Sequence, residues 1–548
     1  MFCNRVLLHG KKAQALVVVY MVVAAFTVLC VALLSKAINE RNLALRNRLE
    51  HEAFYLAEGA IEDAIAQFSS AIANYQIQPD ANFNTSTTFT MFGSEVINST
   101  ITDIEGADRP ETEGETNILV RNFQITATAV HPENNEISVT LHQIIARRLI
   151  PTFQHSVFYD DDLEMLPGPD MDLSGRIHCN EDIYVDAGNG SVLTIDSTSF
   201  HSAGNIYNQR KDTGAEDGGE VSIRVTKPGA PQYEDMDNLD SEVPTWTVDA
   251  TTRWQGTVRS ADHGVTELTA PSVASIQPDG YYATNADVII ENGEIRRNGV
   301  LLVEGTDYPV DTIKTTNSFY NNREERLVKM TEIDLRKLAG YEPGDPEGSP
   351  TFATSILPPN GLLYATRDDA GAVRQPGIKL VNGEKIYQNI GLTVVSNDPV
   401  YIQGDYNTDD EKPAAVICDA LNLLSNNWDP DDTESTSSLN NRMADETTFN
   451  TVFVAGIDTT TPGVQYNGGL ENYPRMHENW SGINLNIKGS FVALWNSAIA
   501  TGEWVYGNPQ YTAPRRNWQY NTDLNDTSKL PPFTPWAVEV ERVAWWKE

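Results

Sequence analysis

Residues Ala13–Ser35 carry no charged side chain, and from Ala13 onward neither Pro nor Gly occurs until Gly59. An apolar run longer than about 18 residues can cross a bilayer as a helix, and nothing directly after it forces a stop. The spacing predicts one continuous helix over Ala15–Tyr75, on the order of 90 Å long at about 1.5 Å per residue. Its first third suits lipid. The rest needs a partner in water, because Phe54, Ala57, Ile61, Ala64, Ile65, Phe68, Ile72 and Tyr75 recur at steps of three and four and so share one face. Arg46–Glu50 and Arg48–Glu52 place opposite charges one turn apart on the outer faces. Gln78-Pro79 ends the helix, since the residue before a proline is pushed out of the helical region.

Charge orients the segment. Residues 1–39 hold Arg5, Lys11, Lys12 and Lys36 and no acid; the first is Glu40. Basic flanks of a membrane span stay in the cytoplasm. The expectation is a single pass through the inner (cytoplasmic) membrane, N-terminus inside, with a periplasmic or cell-surface ectodomain. The whole chain sets 76 acids against 39 bases, a net charge of −37, and such a surface repels phosphate, so no nucleic-acid partner is expected. Of the four cysteines, Cys3 falls in the leader and Cys30 in the apolar run. Cys179 and Cys418 remain in the ectodomain, either as a disulfide in an oxidising compartment or as two buried thiols.

After the helix, Phe123, Ile125, Ala127 and Ala129 alternate with polar residues, His131–Asn135 reads as a turn, and Ile137, Val139 and Leu141 alternate again. This is a hairpin. With a weaker strand near Val96–Ile104 it makes a small antiparallel sheet whose apolar face suits the helix stripe, with Phe54, Ile61, Phe68 and Ile72 as the packing residues.

Here a resemblance becomes specific. The Gln14–Val19 approach to the membrane, Gln-Ala-Leu-Val-Val-Val, followed by Ala53–Ala60, Ala-Phe-Tyr-Leu-Ala-Glu-Gly-Ala, resembles the type IV pilin family, and within it the PilX-type minor pilins and pseudopilins. The resemblance covers the chain as far as Tyr75. It implies other pilin-like subunits and a prepilin peptidase as partners, with cleavage after Gly10 or at Ala13. Major pilins carry a Glu five residues into the mature chain; counted from Ala13 that position is Val18, which resembles minor or tip subunits rather than a bulk filament subunit. Segments Gly391–Asn407, Ala420–Trp428 and Arg515–Trp518 also resemble large ectodomains that follow PilX-like anchors, for which no activity is established.

The body reads as β-rich. Ile177-His178-Cys179 with Ile183-Tyr184 is echoed by Phe200-His201-Ser202 with Ile206-Tyr207. An offset of about 20–25 residues suits one coil of a β-solenoid. No third copy follows at that step: Ile223 fits, but Arg224 replaces the histidine. Gln209–Glu242 reads as an exposed insertion. Farther on, Thr331 reads as the cap of a helix over Ile333–Leu338, Leu392–Val395 and Val400–Gln403 as strands about a Ser-Asn-Asp-Pro turn, and Ala414–Leu424 as a buried strand or helix. The expected class is α+β: leader 1–12, helix 13–78, antiparallel module 79–150, and a solenoid- or sandwich-like ectodomain in two parts, 151–310 and 311–548.

No catalytic, cofactor or zinc pattern emerges. His477-Glu478 opens like a zinc helix and lacks the second histidine. Asp405, Asn407 and Asp409 alternate like the opening of a calcium loop, but Asp410 stands where a glycine belongs. Asp160–Asp162 and Asp429, Asp431 and Asp432 are acidic clusters, and Trp504 and Trp518 are candidates for a sugar platform or for core. The leading expectation is a non-enzymatic structural protein; the alternative is a membrane-tethered β-solenoid that binds or acts on carbohydrate.

Overall fold

The computed structural model describes residues 7–73, 84–91, 95–113, 116–225, 232–316, 318–353, 355–429 and 438–548. A helix, α1 (Leu7–Ala73), runs for 67 residues and begins within the basic leader. Tyr75 and the expected stop at Gln78-Pro79 lie outside the described residues. The two halves of α1 differ sharply. Every side chain from Gln14 to Arg48 is exposed, whereas Leu49, Ala53, Leu56, Ala57, Ala60, Ile61, Ala64, Phe68 and Ile72 are buried. The alanines among these let the helix axis lie close to whatever covers it.

The cover is an antiparallel sheet. Its strands β1 (Asn84–Met91), β2 (Glu95–Asp103), β4 (Thr116–Val130) and β5 (Ser138–Pro151) lie in that order, with β3 (Arg109–Glu113) on the first part of β4. Phe123, Ile125, Ala127 and Ala129 of β4 and Val139, Leu141, Ile145 and Leu149 of β5 share one core with the α1 stripe. The rings of Phe68 and Phe123 are 5.0 Å apart. Beyond the described end of α1 this face turns ionic: buried Arg121 pairs with Asp103 (3.4 Å) and Asp108 (2.8 Å), and buried Arg147 pairs with Asp108.

The sheet has a further strand from the far end of the chain. Trp536–Lys547 pairs antiparallel with β5, from Trp536 opposite Pro151 to Lys547 opposite Leu141. Everything between Pro151 and Trp536 is thus inserted between two neighbouring strands. Thr152 closes the neck, its N–H (3.1 Å) and its hydroxyl (3.0 Å) both donating to Pro535 O.

The insert is a parallel β-solenoid, which decides between the two architectures expected for the ectodomain. Val157–Tyr159, Leu163–Met165 and Met171–Ser174 form three successive sides, and Ile177–Cys179 returns to the first. The repeat seen in the sequence is one such coil: Phe200, His201 and Ser202 stack on Ile177, His178 and Cys179. Ile206 and Tyr207 stack on Ile183 and Tyr184, with the tyrosine rings 4.9 Å apart. A third copy exists, but it precedes the pair. The successive register partners Val157, Ile177, Phe200 and Val258 are unequally spaced along the chain, the last after a long excursion, so no fixed period marks them. Ile223 belongs to the third side, on Ile195. Glu220–Val225 is therefore a solenoid strand with Val221, Ile223 and Val225 buried, and Gln209–Glu242 is not wholly an exposed insertion.

The chain enters this solenoid in the middle. Residues 157–259 wind toward one end; residues 260–287 cross to the other, where Val288–Glu291 starts a second run. That run ends at Phe491–Ala493, which pairs parallel with Val157–Tyr159 and fuses the two runs. Along the first side Val258, Phe200, Ile177, Val157, Phe491, Phe453, Val416, Val394, Leu363 and Val288 are successive register partners, all within one buried core. The outward positions of the same strands are also apolar. Phe158, Val492, Val454, Ile417, Val395 and Tyr364 pack with Ile118, Val120, Ala146 and Ile150 of the antiparallel sheet. That sheet therefore has α1 on one face and the solenoid on the other.

One local expectation needs correction and two are sharpened. Arg326–Asp334 is strand throughout, paired along Arg374–Val381, so the helix starts at Leu335 rather than near Thr331; Asp334 caps it by accepting Lys337 N–H (3.0 Å). Leu392–Val395 and Val400–Gln403 are the strands expected on either side of the turn, and they lie on adjacent sides of a coil. Ala414–Leu424 is two strands, Ala414–Cys418 and Leu421–Leu424. Tight corners explain why coils of this length close: at Gly391 (φ +97°) a Cβ would fall 2.2 Å from Pro413 O.

Phe68 is 1% exposed in the helix–sheet core, so Phe68→Ala should cost about 3–5 kcal/mol, read as a lower midpoint in denaturant unfolding.

Candidate functional site

The feature that needs a partner is the N-terminal half of α1. Leu16–Leu34 presents Leu16, Val17, Val18, Val19, Tyr20, Met21, Val22, Val23, Phe26, Val28, Leu29, Val31, Leu33 and Leu34, each at least 47% exposed. A helix apolar all round belongs in lipid or inside a larger assembly. Its best window has a mean hydropathy of 2.9 and none of it is buried in the fold, so this helix is long and apolar enough to cross a membrane. The polar part that follows carries ion pairs at one-turn spacing: Lys36–Glu40 (3.7 Å), Arg46–Glu50 (2.9 Å) and Arg48–Glu52 (3.2 Å). Glu52 also meets His131 Nε2 at 2.9 Å, and Arg542 of the last strand grips Glu62 through both oxygens (2.7 and 2.5 Å). The exposed half is thus an unbroken continuation of a half that is fixed to the sheet.

Of the residues singled out in the sequence, Ile61, Phe68 and Ile72 are buried against the sheet, and Phe54 is half-buried, edge-on to Trp545 at 6.0 Å. Leu49, Ala53, Leu56 and Ala60 join them; Ala53 stands four residues before Ala57 and Ala60 four before Ala64 of the expected stripe, with Leu49 and Leu56 one further turn back from each, and that spacing was the available signal. Gly10 and Ala13 lie within the helical span.

Cys179 and Cys418 are separate buried thiols, which rules out the disulfide. They sit four strands apart on the first side. At about 4.8 Å per strand that is on the order of 19 Å, against a Cα–Cα limit near 7 Å for a bridge. The calcium-loop reading also fails on geometry. Asn407 is fully buried, its amide donating to Lys412 O and Asn450 O (both 2.7 Å); Asp405 accepts from Thr448 N–H (2.8 Å), and Asp409 pairs with Lys385 (3.3 Å). These side chains brace coil corners rather than converge. His477 is buried against Asn422 (2.9 Å) and Glu478 against Ser425, so neither opens a zinc site. Trp518 is core and Trp504 donates to Tyr511 (2.9 Å). Asp431 and Asp432 lie outside the described residues. Among the described residues, Asp161, Asp162 and Glu181 can bring carboxylate oxygens within 4.8 Å of one another, with Lys211 already paired to Asp162.

Buried ionisable groups occur both at solenoid corners, as Asp398 does, and on its strands, as His178 and His201 do. Burial pushes Asp398 up to about 7, against the lowering effect of Arg367 N–H (2.7 Å). Burial likewise pushes Glu478 up to about 7 although Ser425 donates to it twice (2.7 and 2.6 Å). Burial lowers His178 and His201 to about 4 and His477 to about 3.

No family model matches the chain, and no curated protein is similar to it in sequence. Among solved structures, the crystal structure of the competence-associated pilin ComZ from Thermus thermophilus aligns with 91% of this chain and 97% of its own, at 7% identity and a TM-score of 0.27. A likeness that distant assigns no residue a role.

The raised carboxyls make a signed pH prediction. The folded chain holds the Asp398 and Glu478 protons to about pH 7, whereas the unfolded chain releases them near the ordinary carboxylate value. Their contribution is complete below about pH 4 and lost as pH rises through about 7. The buried histidines act oppositely, losing stability as pH falls toward and below about 6.5, so over the window from about 6.5 to 8 the carboxyl contribution is isolated by comparing the parent with Asp398→Asn, which keeps the histidines. Urea midpoints should fall across it by an amount on the order of 1 kcal/mol per group, and Asp398→Asn should flatten the slope.

Proposed function

We propose that the chain is a membrane-anchored, non-enzymatic structural protein of the minor pilin or pseudopilin kind. It would serve a type IV pilus or a type II secretion-like system and display its solenoid outside the inner membrane. The observation that carries this reading is the helix: one unbroken rod, half packed on an antiparallel sheet and half bare and apolar. A plain tether would need only the span; a rod fixed by its own head also sets the height and orientation of the bare half for lateral packing with other pilin-like helices. The Gln14–Val19 and Ala53–Ala60 resemblance supports the same reading, and the leader's cations favour an N-terminus inside. Val18 in place of the usual glutamate fits a minor subunit, as does a head enlarged by residues 152–535.

A second reading, a tethered carbohydrate-binding solenoid, is favoured by one observation: the stacked Tyr184 and Tyr207 rings lie half-buried along a coil side beside Asp162 and Asp182. Aromatic faces of this kind suit sugar rings.

N-terminal sequencing of the mature protein tests the leading reading. The expected new terminus is Lys11 or Gln14; an intact Met1 would remove prepilin-peptidase processing. A charge in the span, Val23→Arg with Phe26→Arg, should release the chain from carbonate-washed membranes while leaving the unfolding of the head unchanged, because neither residue touches it. If both variant and parent stay in the membrane, the anchor lies elsewhere.

A further inference from the structure

The antiparallel sheet packs on the first side of the solenoid. An aromatic track runs along the second side and crosses the seam between the two runs. Tyr207 and Tyr184 form its first part, stacked from coil to coil. Lys211 Nζ lies 5.9 Å from the centre of the Tyr184 ring, and the adjacent Arg210 places its guanidinium 4.7 Å over the ring of Tyr466, which belongs to the second run. Tyr466 meets Trp504 edge to face at 5.3 Å. Trp504 Nε1 donates to the Tyr511 hydroxyl (2.9 Å), and Tyr506 stands edge-on to Tyr511 at 5.5 Å. The far end is the more open: Tyr506 is 54% exposed and Val505 45%, with Trp504 and Tyr466 half-buried.

These rings are held in place by the fold itself. At Gly468 (φ +96°) a Cβ would fall 2.5 Å from Trp504 Cδ1, so glycine lets the indole lie against this backbone. Tyr511 in turn donates to Asn472 Oδ1 and exchanges two backbone hydrogen bonds with Gly507 (2.9 and 3.0 Å). Gly463 N–H donates to Asp212 O (2.8 Å), which ties the Tyr466 loop of the second run to the Arg210 loop of the first. Charge along the track is settled internally. Arg210 pairs with Asp212 (2.8 Å) and Asp217 (2.9 Å), and Lys211 with Asp162. Asp182, beside Tyr184, accepts Asn205 N–H (2.7 Å). Both cations of the track are thus neutralised, and the net charge of −37 on the whole chain repels a polyanion.

We propose that this track binds an uncharged, extended β-linked glycan, with Trp504 and Tyr506 as the residues on which sugar rings stack. Pre-positioned aromatic rings lose little freedom on binding and combine an apolar body with a polar tip, which matches a pyranose with its apolar C–H face and its rim of hydroxyls. Coils step by about 4.8 Å along the solenoid, close to the advance of one sugar unit in an extended chain, so a glycan lying along the axis meets the track in step with the fold. This inference rests on the second reading above, carbohydrate binding by the solenoid, and not on the assembly reading.

Calorimetric titration of the full chain, in a detergent without a sugar headgroup, tests it. Cellohexaose and chitohexaose are the neutral probes and hexagalacturonate the anionic one. A neutral probe should bind and hexagalacturonate should not. Trp504→Ala should weaken that binding about tenfold and Tyr506→Ala about threefold, whereas Trp545→Ala, a similarly exposed ring on the closing strand, should leave it unchanged. Binding that survives both track variants at parental affinity overturns the track and leaves carbohydrate binding elsewhere on the solenoid standing. A parent that binds neither neutral probe overturns the track and the carbohydrate reading together, and hexagalacturonate bound as tightly as the neutral probes overturns the uncharged ligand. If Trp504→Ala does not fold, Tyr506→Ala decides, because that ring is more than half exposed and its loss removes little packing.

Discussion

The pairing of β5 with Trp536–Lys547 is the contact on which the rest of the architecture depends. It places the two ends of the solenoid insert side by side, with Pro151 opposite Trp536, and so fixes where the solenoid begins. It also completes the sheet beside α1: Val538 of the last strand is buried in the helix-facing core, and Ala537, its immediate predecessor, in the solenoid-facing core. Successive residues of one strand thus serve two cores, which the two-residue period of a strand makes possible. Without this strand β5 would be an open edge and the insert would hang on a single connection.

A second dependence follows inside the insert. Because the chain enters at mid-length, the coil at Val157–Tyr159 is made by early residues and its neighbour at Phe491–Ala493 by late ones. The apolar stack through Val157 and Phe491 must close before either run has a complete core. Long-range closure of this kind costs chain entropy that local coils do not. The fused runs then share one uninterrupted interior.

What the sequence discloses follows from this geometry. The helix, its packing stripe and the β4–β5 hairpin are periodic and local, so Phe54–Ile72 and Phe123–Leu141 are readable by spacing alone. The Ile177 and Phe200 coils are readable because no insertion separates them. The next coil is hidden by the long excursion before Val258, and the preceding one by a shorter step and a change from Ile-His-Cys to Val-Phe-Tyr. Ala414–Cys418 is buried on both faces, so it lacks alternation and reads equally as strand or helix, whereas Leu392–Val395, also buried on both faces, is marked as a strand by the turn that follows it. The closing strand carries no signal of its partner, since pairing across the whole insert leaves no trace in local pattern.

The layering constrains how the bare helix can act. A solenoid joined by one flexible linker would sample many orientations about the anchor. Here the sheet has apolar cores on both faces, two strands enter the insert, and Thr152 is tied to Pro535 at the neck. Rotating the solenoid would strip Ile118, Val120, Ala146 and Ile150 from Phe158 and its neighbours, exposing apolar surface at about 25 cal/mol per Å². The same sheet is bound to α1 by the Leu49–Ile72 stripe. Orientation is therefore handed from helix to sheet to solenoid through packed contacts, and any partner that fixes the direction of the bare half of α1 also fixes the direction in which the solenoid points.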